Sequence, residues 1–426
     1  MLIEKKKSLK GEIAVPGDKS ISHRAVIFGA LSTGITEIDN FLMSEDCLST
    51  IDCFRKMQVG IEILPDSKIR ISGKGLFGLK APSGVLNAGR GGTTVRLLLG
   101  ILAGQPFNST ITRDESVLKK PIGRVTIPLR LMGAKIAGKD DGNLCPLHIS
   151  PSCLQGITYG LSVWEAYAKS PVILAGLYAY DDTTVIENIK SRDHTELMLK
   201  YFGGNIDING LSVTVRRLEN LYARHVEVPG DISKAAYFLA AGLLVPNSEL
   251  TIRDVGVNPT RTGVIDVLKS MGAKIELSNE HMHGNEKVAD ITVSSSTLRA
   301  ASISEDMAPG LIDEMPIIAV AACMASGTTV ISGLKGFKVK ESGRIKRLAT
   351  ELTKMGASVH ETEDGMIIEG GKPLRGTIIE SYNDYAIAMS MSVAGMVAEG
   401  ETMIRKSPVI DAVFPQFFSS VSKLQN

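Results

Sequence analysis

A short apolar helix of small residues, a turn and a β-branched strand recur six times along this chain, and that recurrence leaves few folds open. The copies are AVIFGALSTGITEIDN (residues 25–40), LLLGILAGQPFNSTIT (97–112), PVILAGLYAYDDTTVIEN (171–188), YFLAAGLLVPNSELTIRD (237–254), IIAVAACMASGTTVISG (317–333) and IAMSMSVAGMVAEGETMIR (387–405). They return roughly every 65 to 80 residues, a little beyond the usual solenoid periods. Most are followed by an amphipathic helix ending near glycine and then a strand, as in VTIPLRLMGAKIAG, TELMLKYFGGNIDI, VIDVLKSMGAKIEL and RIKRLATELTKMGASVH. The sixth copy ends in a truncated FFSSVSKL. Short strands alternating with helices of about three turns predict an α/β fold. The small-residue helices should pack closely as a buried layer and the amphipathic ones form the outer layer.

Six copies predict two halves of three units. The stretches VPGDKS (15–20) and VPGDIS (228–233) are near-duplicates that bracket the first three copies. They read as the two crossover strands of a hinge, giving one domain over 20–230 and another joining 1–19 to 231–426. Two domains linked by two strands are expected to form a cleft that closes on a ligand.

Composition narrows the ligand. With 47 basic and 46 acidic residues, the net charge of +1 argues against a nucleic-acid or membrane-surface protein. The five cysteines show no CxxC pairing and no metal-ligand spacing, so they are expected to be reduced structural thiols. The opening MLIEKKKSLKGEI has no apolar core, and apolar runs such as PIIAVAACMA are too short to span a bilayer. The expectation is a soluble, cytoplasmic, monomeric protein acting on small molecules, with no nucleic-acid or membrane partner.

Five motifs fall where a cleft could use them. Asp18-Lys19-Ser20-Ile21-Ser22-His23-Arg24 puts Lys19, Ser20 and Arg24 on the first turn of a helix, where an anion is favoured. Gly89-Arg90-Gly91-Gly92-Thr93 is a glycine-rich turn feeding an apolar helix, a plausible anion cradle. Lys190-Ser191-Arg192-Asp193-His194 could cap a helix through Ser191 or Asp193 and present Arg192. Ile312-Asp313-Glu314-Met315-Pro316 sets a carboxylate beside an apolar helix, where its pKa can rise for proton transfer, although Asp313 could equally be a simple N-cap. Lys338 to Arg344 alternates charge at a loop-to-helix junction and by itself reads as a solvated face.

Taken together and in this order, PGDKSISHRA, KSRDHTE, GVNPTRTGVIDVLKSMGA, IDEMPIIAVAA and FKVKESGRIKRLATEL resemble the EPSP synthase (3-phosphoshikimate 1-carboxyvinyltransferase) family over nearly the whole chain. The resemblance implies an inside-out α/β barrel of two domains, each of three βαβαββ units. It implies enolpyruvyl transfer from phosphoenolpyruvate to the 5-hydroxyl of shikimate 3-phosphate, in the shikimate pathway to aromatic amino acids, with no metal or organic cofactor. By motif position, Lys19, Ser20 and Arg24 would bind the two substrates, with Lys19 reaching both. Arg192 would lie near the shikimate phosphate. Asp313 and Glu341 would be the acid/base pair, and Arg344 would bind phosphoenolpyruvate with Lys340 beside it. A sister family, UDP-N-acetylglucosamine enolpyruvyl transferase, is disfavoured because no cysteine lies within residues 113–120.

The chain departs from the family pattern at the site itself. The family's asparagine in the glycine turn is Arg90, beside Gly92 and Thr93. The arginine before Pro-Ile-Gly is Lys120. The segment for the shikimate phosphate reads Glu165-Ala166-Tyr167, and Asp-His-Arg reads Asp384-Tyr385-Ala386. The aspartate of Glu-Ser-Asp-Arg is Gly343, and the second serine of Gly-Asp-Ile-Ser-Ser is Lys234. Lysine at 120 keeps a charge but loses the bidentate fork, and Ala386 loses both. Losing a partner of a buried charge pair costs on the order of 2–5 kcal/mol. Phosphoenolpyruvate binding should therefore weaken unless Arg90 or Lys234 substitutes. Glu165 would repel a phosphate, and could instead bind hydroxyls, bind an amine or pair with Arg90; Tyr167 could stack on a ring. These changes predict a diverged paralogue with a remodelled pocket. Three readings stand: a working family transferase; a family enzyme acting on a shikimate-like ligand without the 3-phosphate, by transfer to another acceptor, dehydration or isomerisation; and a non-catalytic binder.

Overall fold

The computed structural model describes residues 1–333 and 343–424. The chain divides into two compact units, one formed by residues 17–228 with 282–286, the other by 1–16, 229–281 and 287–426. Each unit holds three small sheets.

The repeat is clearest in its second copy. Leu86–Asn87 runs parallel to Ser109–Thr112, with the buried helix Gly92–Leu102 between them in sequence. After the amphipathic helix Gly123–Leu131, Lys135–Gly138 and Leu144–Ser150 close the sheet as an antiparallel pair. The spatial order is first, second, fourth, third strand. A parallel neighbour needs a long crossover, here a helix, whereas an antiparallel one needs only a turn. The third and fifth copies repeat this order.

Three copies borrow strands from elsewhere in the chain. Ser32–Asp39 takes its parallel neighbours from Leu221–Tyr222 and His225–Glu227, at the far end of the same unit. Glu249–Gly256 takes Lys10–Ala14 from the N-terminal segment. Thr402–Arg405 pairs in parallel with Ile378–Glu380 and antiparallel with Leu2–Ile3, so the truncated sixth copy has no closing hairpin of its own. The N-terminal residues therefore complete two of the three sheets of the 229–426 unit.

The recurrent helices are the buried layer. Ile232–Leu244, Met315–Met324 and Tyr385–Val397 pack against one another, and nearly every residue in them is buried. In the 17–228 unit, Gly92–Leu102 packs against both Lys19–Leu31 and Lys169–Gly176. The outer helices end where the sequence places glycine: Gly133 and Gly272 have φ of +96° and +92°, the left-handed conformation that an L side chain resists. Small residues allow the inner helices their close approach. A Cβ on Gly100 would lie 2.3 Å from the carbonyl oxygen of Pro171, so the helices would have to separate. Gly100→Ala is expected to cost about 1–3 kcal/mol of stability, read as a shift in the denaturation midpoint at unchanged slope.

The duplicated VPGD stretches have one physical role in common. Asp18 caps Lys19–Leu31 by accepting from the Ile21 N–H at 2.9 Å. Asp231 caps Ile232–Leu244 by accepting from the Ser233 N–H at 2.9 Å. Each aspartate satisfies an otherwise orphaned helix donor. The chain passes between units inside these same motifs, at residues 16/17 and 228/229. Among the described residues, no single helix is long and apolar enough to cross a membrane.

Candidate active site

In the 17–228 unit, three helix starts are laced together around Lys19. Its ammonium is ion-paired with the Asp46 carboxylate. The Asp46 carbonyl accepts from the Thr94 hydroxyl at 3.3 Å, Thr94 and Thr50 share a hydrogen bond of 2.9 Å, and Thr50 meets His23 Nδ1 at 2.7 Å. The turn through Gly89, Arg90, Gly91 and Gly92 fits against this lacing because Gly91 and Gly92 carry no Cβ. A Cβ on Gly91 would sit 2.9 Å from the Asp46 carboxylate, and one on Gly92 would sit 2.8 Å from Arg96. Gly91 offers no side-chain cap to the helix that follows, and Thr93 lies half-buried in its first turn.

His23 is wholly buried, and burial pushes its pKa well below 6.5, with Lys19, Arg24 and Arg96 adding in the same direction. The folded protein keeps this imidazole neutral where the unfolded chain would protonate it. Its contribution is therefore complete above about pH 6.5 and is lost progressively below that value, at up to about 1.4 kcal/mol per pH unit. Stability of His23→Gln measured between pH 5 and 7 should fall less steeply with acid than that of the unmodified chain.

Arg24 is held by three hydrogen bonds. Nε donates to the Thr195 hydroxyl at 2.7 Å, Nη2 to Ser170 Oγ at 3.0 Å and Nη1 to the Ser20 carbonyl at 3.0 Å. Burial lowers its pKa to about 10, which leaves it charged at neutral pH. Beside it lies a buried triad. Lys169 Nζ is 2.9 Å from Glu187, 2.7 Å from Glu196 and 3.4 Å from the Ser191 carbonyl. The Ser191 hydroxyl donates to Glu187. Ser20 and Arg192 are half-buried. Asp193 stands at the start of the helix His194–Tyr201.

The departures from the family pattern find partners within the protein. Glu165 turns back on its own helical turn, accepting from the Ser162 hydroxyl at 2.7 Å and the Ser162 N–H at 3.2 Å. That capping box, rather than a bound hydroxyl, an amine or Arg90, is what its carboxylate holds. The Tyr167 ring lies under the Arg96 guanidinium at 5.3 Å. Arg90 and Lys120 are exposed.

In the 229–426 unit, Asp313 is half-buried in the turn before Met315–Met324. Glu314, not Asp313, occupies the N-cap position, so the capping alternative for Asp313 fails. Glu314 is fully buried, accepts from the Ser233 hydroxyl and lies 3.9 Å from Arg261, which in turn is 3.4 Å from Asp231. Arg344 opens the helix Arg344–Lys354 after Gly343, whose φ is +83°, and donates to Asp384 at 2.6 Å. Asp384 also caps Tyr385–Val397 through the Ala386 N–H. The Lys234 ammonium lies 4.5 Å from the centre of the Tyr385 ring, joining two departures from the family pattern in one contact. Burial holds the nearby Tyr237 hydroxyl well above its usual pKa. Lys340 and Glu341 lie outside the described residues.

Sequence reading passed over several polar groups in these clusters. Lys169 carries a signal, because it opens an apolar stretch with a charge; Glu196, after a polar run, carries none. Asp46 and Arg113 carry none, since an acid at a helix start and an arginine after a strand look solvated. Arg113 is 8% exposed, and burial lowers its pKa beside Cys145 and Asp46.

Comparison with known proteins fits this geometry. A sequence profile described as EPSP synthase (3-phosphoshikimate 1-carboxyvinyltransferase) matches residues 3–421. A 3-phosphoshikimate 1-carboxyvinyltransferase of Thermoanaerobacter sp. is 52% identical over 99% of each chain. One of Geobacillus kaustophilus is 50% identical over 98% of each. An EPSP synthase structure from Acinetobacter baumannii aligns with a TM-score of 0.91 at 40% identity, covering 100% of this chain and 97% of that one.

Proposed function

Because this chain belongs to the EPSP synthase family, we propose that it transfers the enolpyruvyl group of phosphoenolpyruvate to the 5-hydroxyl of shikimate 3-phosphate. The hydroxyl oxygen bonds to the enolpyruvyl carbon, that carbon's bond to the phosphate oxygen breaks, and the hydroxyl proton leaves on the inorganic phosphate. The observation that carries this reading is identity of about half, over the full length, to curated transferases. That likeness gives no support to the expectation of a diverged paralogue with another ligand, and that expectation is set aside.

In this reading Lys19, Ser20 and Arg24 hold substrate anions, with Gly92 and Thr93 at a helix start that favours negative charge. Arg192 faces the shikimate phosphate, Arg344 faces phosphoenolpyruvate, and Asp313 with Glu341 moves the proton. Glu165 keeps its negative charge, but Ser162 turns the carboxylate back onto its own helical turn. Tyr167, braced by Arg96, offers a ring face to the acceptor, and Lys120 supplies charge without a fork. Ser191 acts through Glu187 as a positioning residue.

The test is direct. Purified protein incubated with shikimate 3-phosphate and phosphoenolpyruvate should release phosphate steadily, with the enolpyruvyl product seen by mass spectrometry. Folded protein that gives no turnover would overturn the reading.

A further inference from the structure

Lys234 is the least explained charge in the 229–426 unit. It sits in the first turn of the buried helix Ile232–Leu244, with only 4% of its surface exposed. Its one contact through the ammonium is the Tyr385 ring face, 4.5 Å away. Among the described residues no carboxylate pairs with it. The carboxylates on neighbouring turns are each committed to another cation: Asp384 to Arg344, and Asp231 and Glu314 to Arg261. A ring face stabilises a cation but does not neutralise it. Most of the side chain is buried while the ammonium itself is not fully enclosed; a cation drawn so far out of water is costly without a counter-ion and is normally paired. The missing partner is then an anion from outside the chain, and two further features favour one here. Lys234 lies at the start of its own helix, where the backbone contributes partial positive charge. The helix that carries Tyr385 also begins here, and its next residue, Ala386, brings only a methyl group.

We infer that Lys234 binds the phosphate or carboxylate of phosphoenolpyruvate, supplying the positive charge that Ala386 lacks. This rests on the proposed transfer reaction for the identity of the anion, but not for its existence. Tyr385 acts as a positioning residue, holding the ammonium over its ring face. The two replacements at 234 and 385 thus form one device, a lysine and the aromatic face that orients it.

The experiment uses the full chain with Lys234→Met and Lys234→Arg. In steady-state assays Lys234→Met should raise KM for phosphoenolpyruvate by about thirty-fold or more, the usual consequence of removing one partner of a buried charge pair. KM for shikimate 3-phosphate should change little, and Lys234→Arg should recover most of the loss. Calorimetric titration with phosphoenolpyruvate and with inorganic phosphate gives a readout independent of turnover. Both should bind the unmodified chain and weaken together in Lys234→Met. Without ligand, Lys234→Met should melt at the same temperature or higher, because an unpaired buried charge has been removed; a purely structural lysine would lower it. An unchanged KM for phosphoenolpyruvate, or a rise confined to shikimate 3-phosphate, overturns the inference while leaving the transfer reaction intact. Lys234-dependent phosphate binding in a protein without turnover would instead keep the anion site and remove the reaction.

Discussion

Lys169→Met is expected to destabilise the protein by about 3–5 kcal/mol at neutral pH, the usual consequence of removing one partner from a buried ion pair. Lys169 is 1% exposed and is the only cation in contact with Glu187 and Glu196 among the described residues, at 2.9 and 2.7 Å. Removing it leaves two buried carboxylates facing each other. Glu187 retains the Ser191 N–H and hydroxyl. Glu196 retains less: its second oxygen has no hydrogen-bond partner. Burial already raises the Glu196 pKa despite the adjacent ammonium, because desolvation of the half-satisfied carboxylate outweighs the attraction. In the variant that pKa should rise further. A native pKa raised above the unfolded value means that the folded state gains protons as pH falls. The loss caused by Lys169→Met should therefore shrink from pH 7 towards pH 5, and adding Glu196→Gln should recover part of it at pH 7. Chemical denaturation at the two pH values checks this; a loss under about 1 kcal/mol at pH 7 would contradict the buried-pair argument. The same substitution should reach the site, because Ser170 and Thr195, which hold Arg24, sit beside Lys169 and Glu196 in the chain.

Asp313→Asn is expected to lower turnover by about 10²–10⁴-fold, the range for loss of a general acid–base group, while leaving the melting temperature nearly unchanged. Asparagine keeps the size of the side chain but cannot carry a proton between substrate and protein. Asp313 is half-buried in a turn and does not cap the following helix, so no helix start depends on it. Neighbouring Glu314 makes the contrast. It is fully buried against Ser233 and near Arg261, and Glu314→Gln should lower stability instead. Turnover lost with substrate binding retained supports the assigned acid–base role. Unchanged turnover would move that role elsewhere, and unchanged binding in a chain that never turns over would indicate a binder.

The repeat, the two-unit architecture and the family were legible because they rest on local and periodic features. Small-residue helices, β-branched strands and glycine at helix ends depend on backbone propensity and on which face is apolar. The Asp18 and Asp231 caps belong to the same class, since a cap and its helix are adjacent in sequence. The motif carrying Lys19, Ser20 and Arg24 was legible for that reason too.

What escaped was set by which partner each side chain turns to, whether a few residues away or far along the chain. Glu165 was legible as a residue type but not as a rotamer; its carboxylate is hydrogen-bonded by Ser162, three residues earlier. Ser191 read as a ligand contact and is held by Glu187. Lys234 and Tyr385 read as separate departures from the family pattern and proved to touch, 151 positions apart. By itself the sequence determined the elements, their order and the family, because hydrophobic period and turn chemistry act within a few residues. Only the tertiary structure decided which charges are neutralised inside the protein and which stay open to a ligand. That depends on burial and on distances of a few ångströms between residues the sequence keeps far apart.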